Sequence, residues 1–219
     1  MYWACGGKNA CMPDVLIAGA GLGGLTAALA LIQRGHRVRV FEQASELKEV
    51  GAGVQIGPNG SRLLISLGLR EAMESVVCVP LGREFRLWST GQRWRSFDNG
   101  EAAMRKYGAP YWMAHRGDVH AVLLDAVRKA DPDAIRAGNA CVGFDHDDRQ
   151  ATIHLTNGET ATGDVLIGAD GVHSKVRQQM HFVEALVSQQ TFEWPKLAVK
   201  KWIGRIDPLE HFLLLICRQ

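Results

Sequence analysis

Between Val15 and Glu42 the chain reads VLIAGAGLGGLTAALALIQRGHRVRVFE, and its glycines at 19, 21 and 24 leave few folds open. Val15, Leu16 and Ile17 form a short apolar run ending in glycine, the pattern of a buried parallel strand. In the G-x-G-x-x-G that follows, the first glycine permits a tight turn. The second lets the backbone approach a pyrophosphate, and the third lets a helix pack closely on the strand. Leu25 to Gln33, rich in Ala and Leu, propagates that helix, and Gly35 predicts its C-terminal cap. Val38, Val40 and Phe41 read as a second strand with Glu42 at its end, where an acid can hydrogen-bond a ribose hydroxyl. The helix N-terminus offers free N–H groups and partial positive charge to phosphates. This is a βαβ unit for a dinucleotide, and by itself it does not distinguish NAD from FAD.

Two further stretches bear on that choice. In EVGAGVQIGPNGSRLLISLG, Glu49 to Gly68, the glycines at 51, 53 and 57 make a loop whose backbone can lie against a flat ring. Pro58-Asn59 then starts a helix, with proline tolerated in its first turn. In VLIGADGVHSKVR, Val165 to Arg177, a second buried strand ends in a glycine-containing turn and a helix start. Asp170, and Ser174 with it, suits either a helix cap or a polar ligand.

With these blocks in view the chain resembles the flavoprotein aromatic hydroxylases, the para-hydroxybenzoate hydroxylase-like group, in its salicylate and 3-hydroxybenzoate hydroxylase branch. The matching residues are GAGLGG at 19–24, Glu42-Gln43, GAGVQIGPN at 51–59, HRGDVH at 115–120 and GADGVHSKVR at 168–177, within Pro13 to Met180. The resemblance implies an α/β fold: a Rossmann-like FAD-binding domain of the GR2 type with a β-meander and part of a second, substrate-domain sheet. It implies FAD as cofactor, NADH or NADPH as co-substrate, and O2 with a small phenolic or aromatic carboxylate as reactants of a monooxygenase.

Carried across residue by residue, Gly19, Gly21, Leu22, Gly23 and Gly24 would hold the FAD pyrophosphate. Glu42 would hold the adenosine ribose, Gln43 beside it belongs to the same cofactor-binding set, and Gly53 and Val54 would lie beside the flavin through their backbone. Arg116 would contact FAD, in a block where Val119 replaces the family's leucine. Asp170 and Gly171 belong to a DG motif that serves FAD and NAD(P)H together. The backbone near Val142, in the meander, is the candidate contact for adenine.

The resemblance also sets the expected organisation: an extension over 1–12, the βαβ domain over 13–80 and part of the substrate sheet over 81–115. The chain then returns to the FAD-binding domain over 116–180, and a divergent tail covers 181–219. EFRLWS and PYWMAH read as strands of the substrate sheet, and Trp88, Trp94, Tyr111 and Trp112 as core or as the lining of an aromatic pocket. A helix is expected from Gly117 to Lys129, and a meander over 140–163 with its turn at Asn157-Gly158. Gln55, on the flavin-side loop, is a candidate to face the substrate.

Charge and composition exclude other classes. Lysine and arginine number 25 against 23 acids, a net charge of +2, which gives no electrostatic footprint for nucleic acid or an anionic membrane. Lys196, Lys200 and Lys201 read as a solvated face. The five cysteines match no zinc or CxxC spacing, so free thiols in a reducing cytoplasm are expected. The histidines show no metal or triad spacing, no side chain stands out as a general base, and the catalytic residue is unassigned. The family's G-D-A-x-H block is missing before the chain ends at Gln219. That points to a C-terminally truncated form, from an early stop or frameshift near residue 181, or to a site completed by another chain. Two other readings stand beside the monooxygenase: a non-catalytic remnant that binds FAD weakly or not at all, and an NAD-dependent dehydrogenase.

Overall fold

The computed structural model describes residues 12–47 and 52–181. The expected N-terminal extension up to residue 11, the divergent tail from residue 182, Gly51 and the lysines at 196, 200 and 201 lie outside the described residues. In chain order the elements begin with β1 (Asp14–Ala18), α1 (Leu22–Ile32), β2 (Arg37–Phe41), β3 (Gly53–Ile56), α2 (Pro58–Ser66) and α3 (Arg70–Glu74). They continue with β4 (Val77–Cys78), β5 (Gly82–Arg86), β6 (Arg93–Asp98), α4 (Glu101–Tyr107), β7 (Trp112–His115) and α5 (Arg116–Ala130). The last are β8 (Ile135–Arg136), β9 (Cys141–His146), β10 (Ala151–Leu155), β11 (Thr160–Gly163), β12 (Val165–Gly168) and α6 (Lys175–His181). They form two compact units. One takes the chain up to Leu47 together with the chain from Ala130 onward, and the other takes the span between, up to Lys129.

The first unit holds a parallel sheet in the order β12-β1-β2-β8. Its central strand is apolar without alternation, as burial on both faces demands: Val15 to Ala18 are all buried. The meander β11-β10-β9 is antiparallel, and its turn closes at Gly158, where φ is +83°. Leu16, Phe41, Phe144 and Ile153 pack in one core cluster with Cys141 and Val176. Gln179 ties α6 to β9, accepting from the Phe144 N–H and donating to its carbonyl. Helix α1 starts at Leu22, three residues before the expected start, because two of its first three residues are glycines that read locally as turn. It ends as expected: Gly35, at φ +85°, donates to the Ile32 carbonyl.

At the start of β1 a charged group is held below the surface. Arg39 Nη2 lies 2.8 Å from Asp14 Oδ2, with only 14% of the Arg39 side chain exposed. Arg39 also donates to the Thr162 carbonyl and so joins β2 to the meander. Replacing Arg39 with methionine keeps the stem and removes the donors. It is expected to cost about 1–3 kcal/mol of stability, read as a lower urea midpoint.

Burial pushes the Cys141 thiol above its ordinary pKa, against a smaller opposing effect of the Gly143 backbone. The folded state therefore holds the thiol proton more tightly, and this contribution to stability is lost as pH rises above the ordinary thiol range. Cys78 is exposed and Cys141 buried, and both are free. Iodoacetamide at pH 8 is expected to label Cys78 in the native chain, and Cys141 only after unfolding, as peptide mapping would read.

The second unit carries the antiparallel sheet β3-β7-β4 and the hairpin β5-β6. Helix α5 buries Val119, His120, Leu123, Leu124 and Val127, the i, i+3, i+4 stripe of an amphipathic helix. It starts at Arg116, one residue before the expected start. Two expectations for 81–115 are corrected. A helix, α4, occupies part of that span, with Glu101 in its first turn and Arg105 and Lys106 in its last, which suits the helix dipole. And β7, which holds the WMAH stretch, pairs with β3 and β4 instead of with the β5-β6 hairpin.

Candidate functional site

The glycine turn of the first unit shows why each glycine is a glycine. Gly19 has φ +99°, and a Cβ there would lie 2.4 Å from the Ala169 carbonyl oxygen. A Cβ on Gly24 would sit 1.9 Å from the Gly19 carbonyl oxygen. Both are backbone clashes, so the turn and the helix approach only without side chains. Gly21 is different: a Cβ there would meet no atom of the described residues within 4 Å. The first and third glycines fit the protein to itself, and the second faces open space.

That space lies at the start of α1. The N-cap is Gly21, with no side-chain cap and no acid in the first turn, and the first intrahelical bond is Leu25 N–H to the Gly21 carbonyl. The amides of Leu22, Gly23 and Gly24 thus lack intrahelical acceptors. Just beyond β2, half-buried Glu42 accepts from the Ala20 N–H at 2.7 Å and the Ala44 N–H at 2.9 Å. Its carboxylate is pinned beside the turn by backbone donors. Gln43 follows, exposed.

Asp170 and Gly171 sit just past β12, beside the turn, since Ala169 and the Asp170 Cα are among the atoms nearest a Cβ on Gly19. Of the two roles open to Asp170, the structure has the cap. Oδ1 accepts from Ser174 Oγ at 2.5 Å, and Oδ2 from the Lys175 and Val176 N–H groups at 2.7 and 3.2 Å. Ser174 Oγ accepts in turn from the Arg177 N–H at 2.9 Å. Gly171 takes φ +78° to make this turn. Val142 is 53% exposed on β9.

The remaining candidates belong to the second unit. Gly53 pairs with His115 and Val54 with Ala114, so the β3 loop is one edge of a sheet. Arg116 is exposed at the first turn of α5, and its N–H donates to the Ala52 carbonyl at 3.1 Å. Gln55 Oε1 accepts from Arg83 Nη2 at 2.6 Å and from Tyr111 Oη at 2.5 Å. Sequence reasoning missed Arg83: a lone arginine at a strand start carries no local signal, and its partners are distant in sequence. Of the four aromatics, Trp112 is core at 1% exposure, Trp88 is 94% exposed at the hairpin turn, Trp94 is exposed and Tyr111 half-buried. Among the described residues no group of His, Cys, Asp and Glu could hold a metal ion. Nor, among the described residues, is any helix long and apolar enough to cross a membrane. His154 pairs with Asp145 at 2.7 Å on the exposed meander.

A parallel sheet whose central strand ends in a glycine turn, with β2 on one side and β12 on the other, is the nucleotide-binding core of a Rossmann-type protein. The chain belongs to the FAD binding domain family, whose model matches residues 12–216. The match runs past Met180, where the motif-based resemblance ends. The chain is 36% identical over 169 residues to 6-hydroxynicotinate 3-monooxygenase of Pseudomonas fluorescens, covering 77% of this chain and 43% of the relative. It is 34% identical over 214 residues to 3-hydroxybenzoate 6-hydroxylase of Polaromonas naphthalenivorans, covering 91% and 53%. Klebsiella pneumoniae HpxO, solved with FAD and uric acid, superposes with TM-score 0.64 at 30% identity over 76% of this chain and 41% of that one. The chain thus spans about half the length, or less, of these relatives.

Proposed function

We propose that this chain binds FAD and serves an NAD(P)H- and O2-dependent monooxygenase that hydroxylates a small phenolic or aromatic carboxylate. The observation that carries the reading is the division of labour in the glycine turn. Gly19 and Gly24 are packed, while Gly21 borders free space at an uncapped helix start. The residues fit the group. The amides of Leu22, Gly23 and Gly24 would hold a pyrophosphate, which also satisfies the positive end of α1. Glu42, already oriented by Ala20 and Ala44, would accept a ribose hydroxyl, with Gln43 beside it. The backbone at Val142 is assigned to adenine, and that of Gly53 and Val54, with Arg116, to the flavin side. Asp170, whose cap shapes the turn, and Gly171 are assigned together to the DG motif that serves FAD and NAD(P)H. When bound, FAD supplies the redox chemistry that no side chain can. A reducing, cytoplasmic setting belongs to the same reading.

The test is a visible spectrum of the purified chain after FAD addition and desalting, followed by NADH and NADPH oxidation with and without 3-hydroxybenzoate. A stoichiometric flavin band is expected. In a Glu42→Gln variant the loss of an ionic acceptor should weaken FAD binding about tenfold or more. Oxidation stimulated by the aromatic acid supports hydroxylation. Flavin retained without that stimulation reduces the function to FAD binding, and a colourless chain overturns the proposal.

A further inference from the structure

We propose that Arg83 and Tyr111, held ready by Gln55, form the seat for the carboxylate of an aromatic acid. The inference rests on the reading above and names the part of the chain that recognises the acid. Three segments distant in sequence meet at one atom. Arg83 Nη2 and Tyr111 Oη, 3.4 Å apart, both reach Gln55 Oε1, at 2.6 and 2.5 Å. Two donors converging on one oxygen is how a protein grips an anionic oxygen. Here a neutral amide oxygen on a flexible side chain takes that place. A carboxylate offers a charged acceptor and a second oxygen for the guanidinium fork, so it outcompetes the amide.

The surroundings suit a ring attached to that carboxylate. In the β3-β7-β4 register, Gln55 lies opposite Met113, and Met113 opposite Cys78. Directly opposed residues share a sheet face, and all three are exposed. The other face holds Trp112 and Ala114, both buried. The exposed face therefore sets an apolar thioether beside the polar cluster, and sulfur packs well against aromatic rings. Arg83 is brought to this face from β5 at an irregularity: it pairs with Phe97 and its neighbour Glu84 with Arg95, so the ladder skips one residue. Such bulges re-aim side chains.

The full chain, loaded with FAD, is titrated calorimetrically with 3-hydroxybenzoate and with the neutral 3-hydroxybenzamide. The acid is expected to bind more tightly than the amide. Arg83→Ala should weaken the acid at least about tenfold while changing amide affinity by less than about twofold. Arg83→Lys restores part of the loss, because a point charge lacks the fork. Tyr111→Phe weakens the acid by roughly threefold to tenfold. Equal binding of acid and amide by the unaltered chain, no binding of the acid, or equal losses for both ligands in Arg83→Lys would each overturn the proposal. The flavin band is read in the same samples. Flavin retained without acid selectivity sinks this inference alone, and selective acid binding without flavin sinks only the FAD reading.

Discussion

Replacing Gly24 with alanine is expected to cost roughly 3 kcal/mol of stability, toward the upper end of overpacking effects, and to abolish FAD retention. The new methyl would stand 1.9 Å from the Gly19 carbonyl oxygen and 3.0 Å from its carbon. Both are backbone atoms that cannot swing aside, and Gly19 is itself fixed by its N–H bond to the Phe41 carbonyl at 2.7 Å. Relief requires α1 to lift from the sheet. The urea midpoint should fall with an unchanged slope. Gly21→Ala is the control, because its backbone is ordinary (φ −71°) and its Cβ direction is empty. Its stability should stay within about 1 kcal/mol, yet FAD affinity should drop where the methyl meets the pyrophosphate. Gly24→Ala as stable as the parent would refute the packing account, and Gly21→Ala with full flavin affinity would move the phosphates elsewhere.

Trp112→Ala is expected to be as damaging in the second unit, by about 3–5 kcal/mol. Trp112 is among the largest fully buried side chains, at 1% exposure. Its strand, β7, is bonded on both edges, to β3 and to β4, so the cavity cannot close by local movement. Trp88→Ala, at a position 94% exposed, should fall within about 0.5 kcal/mol of the parent. Chemical denaturation followed by far-UV circular dichroism separates the two. A small effect at Trp112 would mean that the aromatic side chain is dispensable to the core and would return it to the list of pocket residues.

These contrasts mark what was legible in the residues alone. The glycine turn, both strands beside it and the position of Glu42 were readable because the determinants lie within one βαβ unit and each glycine has a local cause. The meander was readable from Asn157-Gly158 and the alternation around it. The start of α1 was not, since Leu22-Gly23-Gly24 has poor helix propensity and is helical because the strand beneath it packs there. Helix α4 carried its own signals in Gly100, Glu101, Arg105, Lys106 and Gly108, but they stood between apolar stretches that read as strands. The pairing of β7 with β3 joins segments some 60 residues apart, and no short-range pattern encodes a partner at that distance. Arg83, Gln55 and Tyr111 were hidden for the same reason: their meeting joins β5, β3 and the residue that leads into β7. Asp170 was readable as either cap or ligand, and only coordinates could show its oxygens turned to Ser174, Lys175 and Val176.

The split of the first unit around the second sets an order of assembly. The Asp14 N–H bonds to the Asp164 carboxylate 150 residues later, and β1 needs β12 to complete its central position. The second unit is one continuous stretch, free to close as soon as it leaves the ribosome. The first must keep Leu16 and Phe41 waiting until Phe144 and Ile153 arrive to cover them. Long-range pairing of this kind slows folding and leaves apolar surface open to other chains meanwhile. The earlier strands of this unit are thus finished after the later ones, and the glycine turn at the tip of β1 takes its final form only once β12 and Ala169 are in place beside it.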